Sequence, residues 1–401
     1  MIDTQIIYML RQSFSFDLKG ASHFSVLLWL LIIGCQQSSV GNFPDANGVY
    51  HVFPGDDIQK ALDAAAQSET AKRVLVHDGT YRPLAPAQAL IFFNAIHDGI
   101  ILEAEGNVIL TATNPDIADR SAASYPATVN HVVYFGDGIS RNTIFRGFRI
   151  TGANNFVTRS DKPFCIERLP SGSPLNKKIF FYSDGGAIKI FGRSYPTIEN
   201  AEIYNNYASP CAGGVSVENQ GFNQDAPVLR NCIFRNNRCQ VTGSAVDILP
   251  GGNAVLENCL FVNNISNTGE DYIGQRTGNE YNKKHGSGAL TVFRRSRVEV
   301  TRCTFTGNWN GVDDKGTENI YRDCIFWQNI ASGGISEGDR YEIDIVNGRG
   351  VSGCWIEGRI IDLRQTIDPK INVLHAPDPK FDKYYVPLAK EYSEVGYRPV
   401  K

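Results

Sequence analysis

The chain has 401 residues, 42% hydrophobic and 20% charged, with a formal net charge of −3 at neutral pH. That balance belongs to an ordinary folded protein and excludes a disordered chain or one embedded in a membrane over most of its length. A mildly acidic chain has no electrostatic footprint for nucleic acid, which is set aside as a partner.

The first element in chain order is the apolar run Phe24–Ile33, preceded by Arg11 and Lys19. Its ten residues span about 15 Å as helix, half of the ~30 Å needed to cross a bilayer. A basic segment, a short apolar run and a small residue before a cut form the layout of a secretory signal. Ile32-Ile33-Gly34-Cys35 resembles the lipobox of bacterial lipoproteins. The resemblance implies a signal peptide over 1–34, lipidation of Cys35, and a polar tether over 35–48 that contains Gln36, Gln37, Ser38 and Ser39. It also implies a lipid-anchored protein of the bacterial envelope, periplasmic or at the cell surface. A start at Met9 shortens the stretch before the apolar run.

The mature part opens with Asp56–Ala66, whose Ile58, Ala61, Leu62 and Ala65 have the spacing of an amphipathic helix. A short strand pattern follows at Arg73–His77, and then Asp78-Gly-Thr-Tyr81.

Beyond these, one phrase recurs: a small or apolar residue, a spacer, an apolar residue, a spacer, then Asn-Asn or a variant. It reads Ala201–Asn206, Cys232–Asn237, Cys259–Asn264, Cys303–Asn308 and Cys324–Asn329, with weaker copies at Phe148 and Cys354. The steps from Ala201 through Cys354 are 31, 27, 44, 21 and 30 residues. Repeats of this length with alternation inside each copy mean stacked strands rather than helices. A second strand follows each copy after a Gly-rich turn, as in Gly186–Ile190, Gly214–Val217, Ala245–Ile248, Ala289–Val292, Gly311–Asp314 and Glu342–Ile345.

One rung cannot bury its own apolar face, but rungs stacked ~4.8 Å apart build a continuous core. Equivalent residues then form columns: five cysteines inside, phenylalanines inside, asparagines in an amide ladder. In-register cysteines are slightly too far apart for a relaxed disulfide and act as small hydrophobes. Cys165, Cys211 and Cys239 lie outside the column, leaving Cys211–Cys239 and Cys165–Cys211 as alternative bridges.

From about Val49 to Gly358 the helix, the strands after it and these repeats resemble the pectin-lyase-like superfamily. The resemblance implies an all-β fold, a single-stranded right-handed parallel β-helix over 49–366 whose N-terminal helix caps the open end. It also implies that polysaccharide chains bind and are cut on one strand face. The tail 367–401, with Pro377, Pro379, Pro387 and Pro399, is expected to fold irregularly over the other end, and the protein is expected to be a monomer.

With Ile188, Val215, Val246, Leu290, Val312 and Ile343 pointing inward, the next residues form an outward file: Lys189, Ser216, Asp247, Thr291, Asp313, Asp344. Two residues earlier the outward positions are Gly or Ala until Glu342, which suggests a shallow trough beside a polar strip. Two long insertions, Asn155–Asp184 and Ile265–His285, leave the body at the same corner, about three rungs or ~14 Å apart. The first carries Arg159, Lys162, Arg168, Lys177 and Lys178; the second carries Tyr272, Arg276, Tyr281, Lys283, Lys284 and His285. Basic groups and tyrosines beside a trough suit a polysaccharide, acidic or hydroxylated. Lys189, Thr291, Arg276, Tyr281, Lys284 and His285 are the candidate substrate ligands.

Asp313-Asp314 resembles the Asp-Asp pair of polygalacturonase-like hydrolases, although that family's Gly-His-Gly and Arg-Ile-Lys segments are missing. Asp247, Asp313, Asp314 and Lys315 are the candidate catalytic groups. Asp247 and Asp313 stand two rungs apart, ~9.6 Å, within reach of an inverting hydrolase's carboxyl separation. A lyase instead requires a base such as Lys189, Lys315 or Arg294. Asp247, Asp313 and Asp344 are alternatively a calcium site, since adjacent carboxylates call for a cation between them. Two function classes stay open: a polysaccharide lyase or glycoside hydrolase, and a non-catalytic glycan-binding or structural surface protein.

Overall fold

The computed structural model describes residues 43–155, 184–209, 211–219, 225–268, 287–332, 340–362 and 366–400. The expected signal segment, Cys35 and Cys165 lie outside them, as do Arg276, Tyr281, Lys284 and His285. Among the described residues the chain lays down three short strands per turn, building parallel sheets of ten, nine and ten strands. The first sheet runs from Val49–Val52 to Val351–Ser352, the second from Ala87–Phe93 to Ile360–Asp362, and the third from Gly79–Tyr81 to Val373–Leu374. This is the expected all-β parallel β-helix.

The helix α1 (Ile58–Gln67) starts at Asp57, whose side chain accepts the Gln59 N–H. Ile58, Ala61, Leu62 and Ala65 are its buried face and join the main core, so α1 covers an edge that would otherwise template aggregation.

The recurring phrase has two separate physical jobs. Asn205, Asn236 and Asn263 turn the chain at φ between 53° and 55°, a left-handed conformation that asparagine tolerates better than other side chains. The residue after each builds the ladder: the amides of Asn206, Asn237, Asn264, Asn308 and Asn329 pass hydrogen bonds down the stack at 3.1, 3.1, 3.0 and 2.7 Å. Glu342 terminates the ladder by accepting from Asn329 Nδ2 at 2.5 Å.

The interior columns are as expected. Phe234, Phe261, Phe305 and Phe326 are fully buried and stack at centroid distances of 4.8, 4.3 and 5.1 Å. Cys232, Cys259, Cys303, Cys324 and Cys354 are buried free thiols. The expected bridges do not form, because Cys211 and Cys239 are free as well. Thr242 separates them: its hydroxyl donates to Cys211 Sγ at 3.0 Å, and the Cys239 thiol donates to its carbonyl at 3.1 Å.

The tail also departs from expectation. Rather than folding only over an end, it packs along the outer side of the third sheet. Ala376, Tyr392 and Val395 cover Ile325, Trp327 and Trp355, while Tyr397 covers Leu260 and Val262. Those sheet residues point outward and are apolar, so burying them against the tail removes a patch that water disfavours.

Candidate functional site

The three outer faces are unequal. On the first sheet, Glu103, Arg146, Glu199, Arg230 and Glu257 alternate in register and pair along the stack at 2.5, 3.6, 3.9 and 2.8 Å. That face is electrically self-satisfied. The third face lies partly under the tail. The second sheet carries the file Phe92, Tyr134, Lys189, Ser216, Asp247, Thr291, Asp313, Asp344, Ile361, aligned strand by strand. The register is the one the repeats imply.

The environment is not. Lys189, Ser216 and Asp247 are 0% exposed, and Thr291, Asp313 and Asp344 are 2–3% exposed. The strip expected to face solvent is covered. The trough is filled too: a Cβ on Gly214 would collide with the Ala245 carbonyl, and one on Gly311 with the Glu342 carbonyl. Glycine stands there because neighbouring backbone occupies the space.

Two charged groups divide the strip. In the upper one, Lys189 Nζ lies 2.8 Å from Asp184 Oδ1 and 2.5 Å from Glu218 Oε2, and the Ser216 hydroxyl donates to Asp184 Oδ2 at 2.7 Å. Burial alone would lower the Lys189 pKa, but Asp184 and Glu218 outweigh it and hold it up at about 12. A lysine so engaged is neither a base nor a free substrate ligand. His131 Nδ1 donates to the Gly185 carbonyl at 2.6 Å; burial, then the Lys189 charge, push the ring down to about 3, so it is neutral. Its Nε2 is buried without a partner among the described residues.

Next in the file is Asp247. Its Oδ2 lies 3.3 Å from the Thr242 hydroxyl oxygen, and its Oδ1 is buried with no hydrogen-bond partner among the described residues. Burial, then repulsion from Asp184, raise it well above the usual carboxylate range.

In the lower group Lys315 Nζ sits 3.0 Å from Asp313 Oδ1 and 2.7 Å from Asp344 Oδ2. Burial lowers the Lys315 pKa, but Asp313 and then Asp344 raise it further than burial depresses it. The cation expected between the adjacent carboxylates is thus the chain's own ammonium. Among the described residues no three His, Cys, Asp or Glu side chains are placed to hold a metal ion. Lys315 clamps the two carboxylates together. Thr291 is tied in as well, its hydroxyl oxygen accepting the Gly243 N–H at 3.0 Å.

Asp314 belongs to the opposite face. It aligns with Val292 and Ile345 in the inward file. There it accepts from Gly316 N at 2.7 Å, from Asn319 Nδ2, and from the Tyr321 hydroxyl at 2.7 Å, and burial pushes it up to about 7. Consecutive strand residues point to opposite faces, so the Asp-Asp pair is split and Asp314 is a core residue. Sequence reasoning missed Asp184, Glu218, His131 and Thr242. Only Glu218 had a signal, standing two residues after Ser216 and therefore on the same face.

A family model of the right-handed β-helix region matches residues 90–280, and the fold is a right-handed parallel β-helix. Among solved structures the chain is similar to a pectate lyase, Pel9A, at 15% identity and a TM-score of 0.36, over 73% of this chain and 78% of that one. No curated protein matches the sequence.

Proposed function

We propose that the chain is an exported, lipid-anchored β-helix protein that hydrolyses a polysaccharide at the second-sheet file. Asp247 is the general acid and Asp313 the general base. The observation that carries this reading is the Asp247 carboxyl, fully buried, pushed above the usual carboxylate range by that burial, and with one oxygen unpartnered among the described residues. Such a group costs about 1–3 kcal/mol of stability, and uncompensated buried polar groups of this kind concentrate at functional sites. Asp313, two strands away and in contact with Lys315, has a contrasting environment. Paired carboxyls in contrasting environments are how acid and base roles are divided at one pH. Hydrolysis is favoured over elimination because Lys189 and Lys315 are both locked in ion pairs.

The test is reducing-end release from a panel of neutral and acidic polysaccharides by the wild type, Asp247→Asn and Asp313→Asn. Each variant should lose at least 100-fold in kcat on a substrate that the wild type cleaves. Wild-type turnover in both variants removes the file as the catalytic site.

One observation favours a second reading: the strip is almost wholly buried and its lysines are internally paired. In a non-catalytic surface protein that network acts as a polar seam holding the covered face together. On this reading glycans bind without any bond being cut.

A further inference from the structure

The file of the second sheet continues past Lys189 into aromatic residues. Tyr134 and Phe92 stack at 5.0 Å between ring centroids. Beside Phe92, between α1 and the first strand of this sheet, lies a cavity of about 680 Å³. That is the size of small-ligand sites, roughly 300–1,000 Å³.

Its walls are held in place. The Gln59 side chain bridges α1 to the sheet, donating to the Phe92 carbonyl at 3.1 Å and accepting the Phe92 N–H at 2.8 Å. The buried His97 ring accepts the Asn94 N–H on Nδ1 at 3.2 Å, so its Nε2 donates to Asp63 Oδ1, 3.0 Å away. Gln59 also donates to that oxygen, at 2.9 Å, and Asp63 Oδ2 is left for a ligand. On the sheet side Gln88 is 4% exposed; its Oε1 accepts from Asn130 at 3.1 Å, and its Nε2 is buried with no partner among the described residues. Leu84 and Ile96 stand on the rim, 70% and 63% exposed.

A pocket combining apolar side chains, one unfilled amide donor and one half-exposed carboxylate suits a ring with an apolar face and hydroxyl edges. Charge narrows the class. Asp56, Asp57 and Asp63 line the cavity against the single guanidinium of Arg82, which already donates to the Thr113 carbonyl at 3.2 Å. A uronate or phosphate would meet net repulsion there. We infer that this cavity binds a neutral sugar unit of a glycan, with Gln88 Nε2 donating to one hydroxyl and Asp63 Oδ2 accepting from another. The inference rests on the carbohydrate reading above and narrows its substrate class. The cavity adjoins Phe92, four strand steps or ~19 Å from Asp247 along one file, the reach of several sugar units.

Calorimetry on the whole protein tests this, with β-1,4-linked glucan and mannan hexasaccharides and an oligogalacturonate hexasaccharide as probes. Gln88→Glu keeps the acceptor for Asn130 and removes the free donor; Ile96→Asp changes only the exposed rim. A neutral hexasaccharide should bind and weaken at least 10-fold in both variants, with melting temperatures within 2–3 °C of wild type. Neutral binding unchanged in both variants overturns the cavity as the site while leaving hydrolysis at Asp247 intact. Tighter binding of oligogalacturonate, lost in Ile96→Asp, overturns the assignment to neutral sugars. Absence of binding and cleavage on every probe overturns both this inference and the carbohydrate reading beneath it.

Discussion

Replacing Lys315 with Met removes the ammonium shared by Asp313 and Asp344 while keeping most of the aliphatic stem. The Lys315 side chain is 20% exposed and the two carboxylates 4% each, so water screens the contact poorly. Adjacent strands put the carboxylates ~4.8 Å apart, where two unit charges repel by about 3–4 kcal/mol at an effective dielectric of about 20. Breaking a buried ion pair from one side costs about 3–5 kcal/mol, and the two values agree. The Lys315→Met variant should therefore lose about 3–5 kcal/mol at pH 7. The assay is urea unfolding at pH 7. Lys315→Met combined with Asp313→Asn and Asp344→Asn should recover most of the loss. A gap under about 1 kcal/mol at pH 7 refutes the clamp.

Three further outcomes are expected. Phe261→Ala removes a fully buried ring stacked on both sides and should cost about 3–5 kcal/mol by chemical denaturation; a loss below 1 kcal/mol contradicts the stack. Asp314, raised to about 7 by burial, makes stability fall as pH rises from about 4 to 7, because the unfolded chain ionises first. At about 1.4 kcal/mol per pH unit over roughly three units, Asp314→Asn should flatten that fall by up to ~4 kcal/mol, and equal slopes in both proteins count against it. For the proposed anchor, Cys35→Ser should move the protein from the membrane fraction to the soluble one and abolish palmitate labelling, whereas persistent labelling removes the lipid anchor.

The repeats made the architecture legible because stacking forces equivalent residues into columns. The phenylalanine stack, the asparagine ladder and the Lys189–Asp344 file could all be aligned by period-two alternation alone. The same alternation separates Asp313 from Asp314, and resemblance to a catalytic Asp-Asp pair drew both to one face against it. Burial of the file was not legible, since it depends on what covers a sheet face and not on the strand itself. Lys315 lies beyond its strand, and where its long side chain ends depends on the turn it occupies. Asp184 stands at the end of an insertion with no repeat partner, so no column revealed it. The tail's destination had a readable sign: Leu260, Val262, Ile325 and Trp327 alternate with the core residues and are apolar on the outward side. Such a face has to be covered.

The central claim is that Asp247 and Asp313 divide acid and base roles on a cleaved polysaccharide. The most direct measurement is the proton NMR anomeric signal of the first product formed by the wild type, followed from the start of the reaction. Two carboxyls on strands two apart, ~9.6 Å between backbones, correspond to the wide separation of inverting hydrolases. The first product should carry the anomeric configuration opposite to that of the cleaved bond, and Asp247→Asn should give no product. A retained configuration, an unsaturated product of elimination, or undiminished product from Asp247→Asn contradicts it.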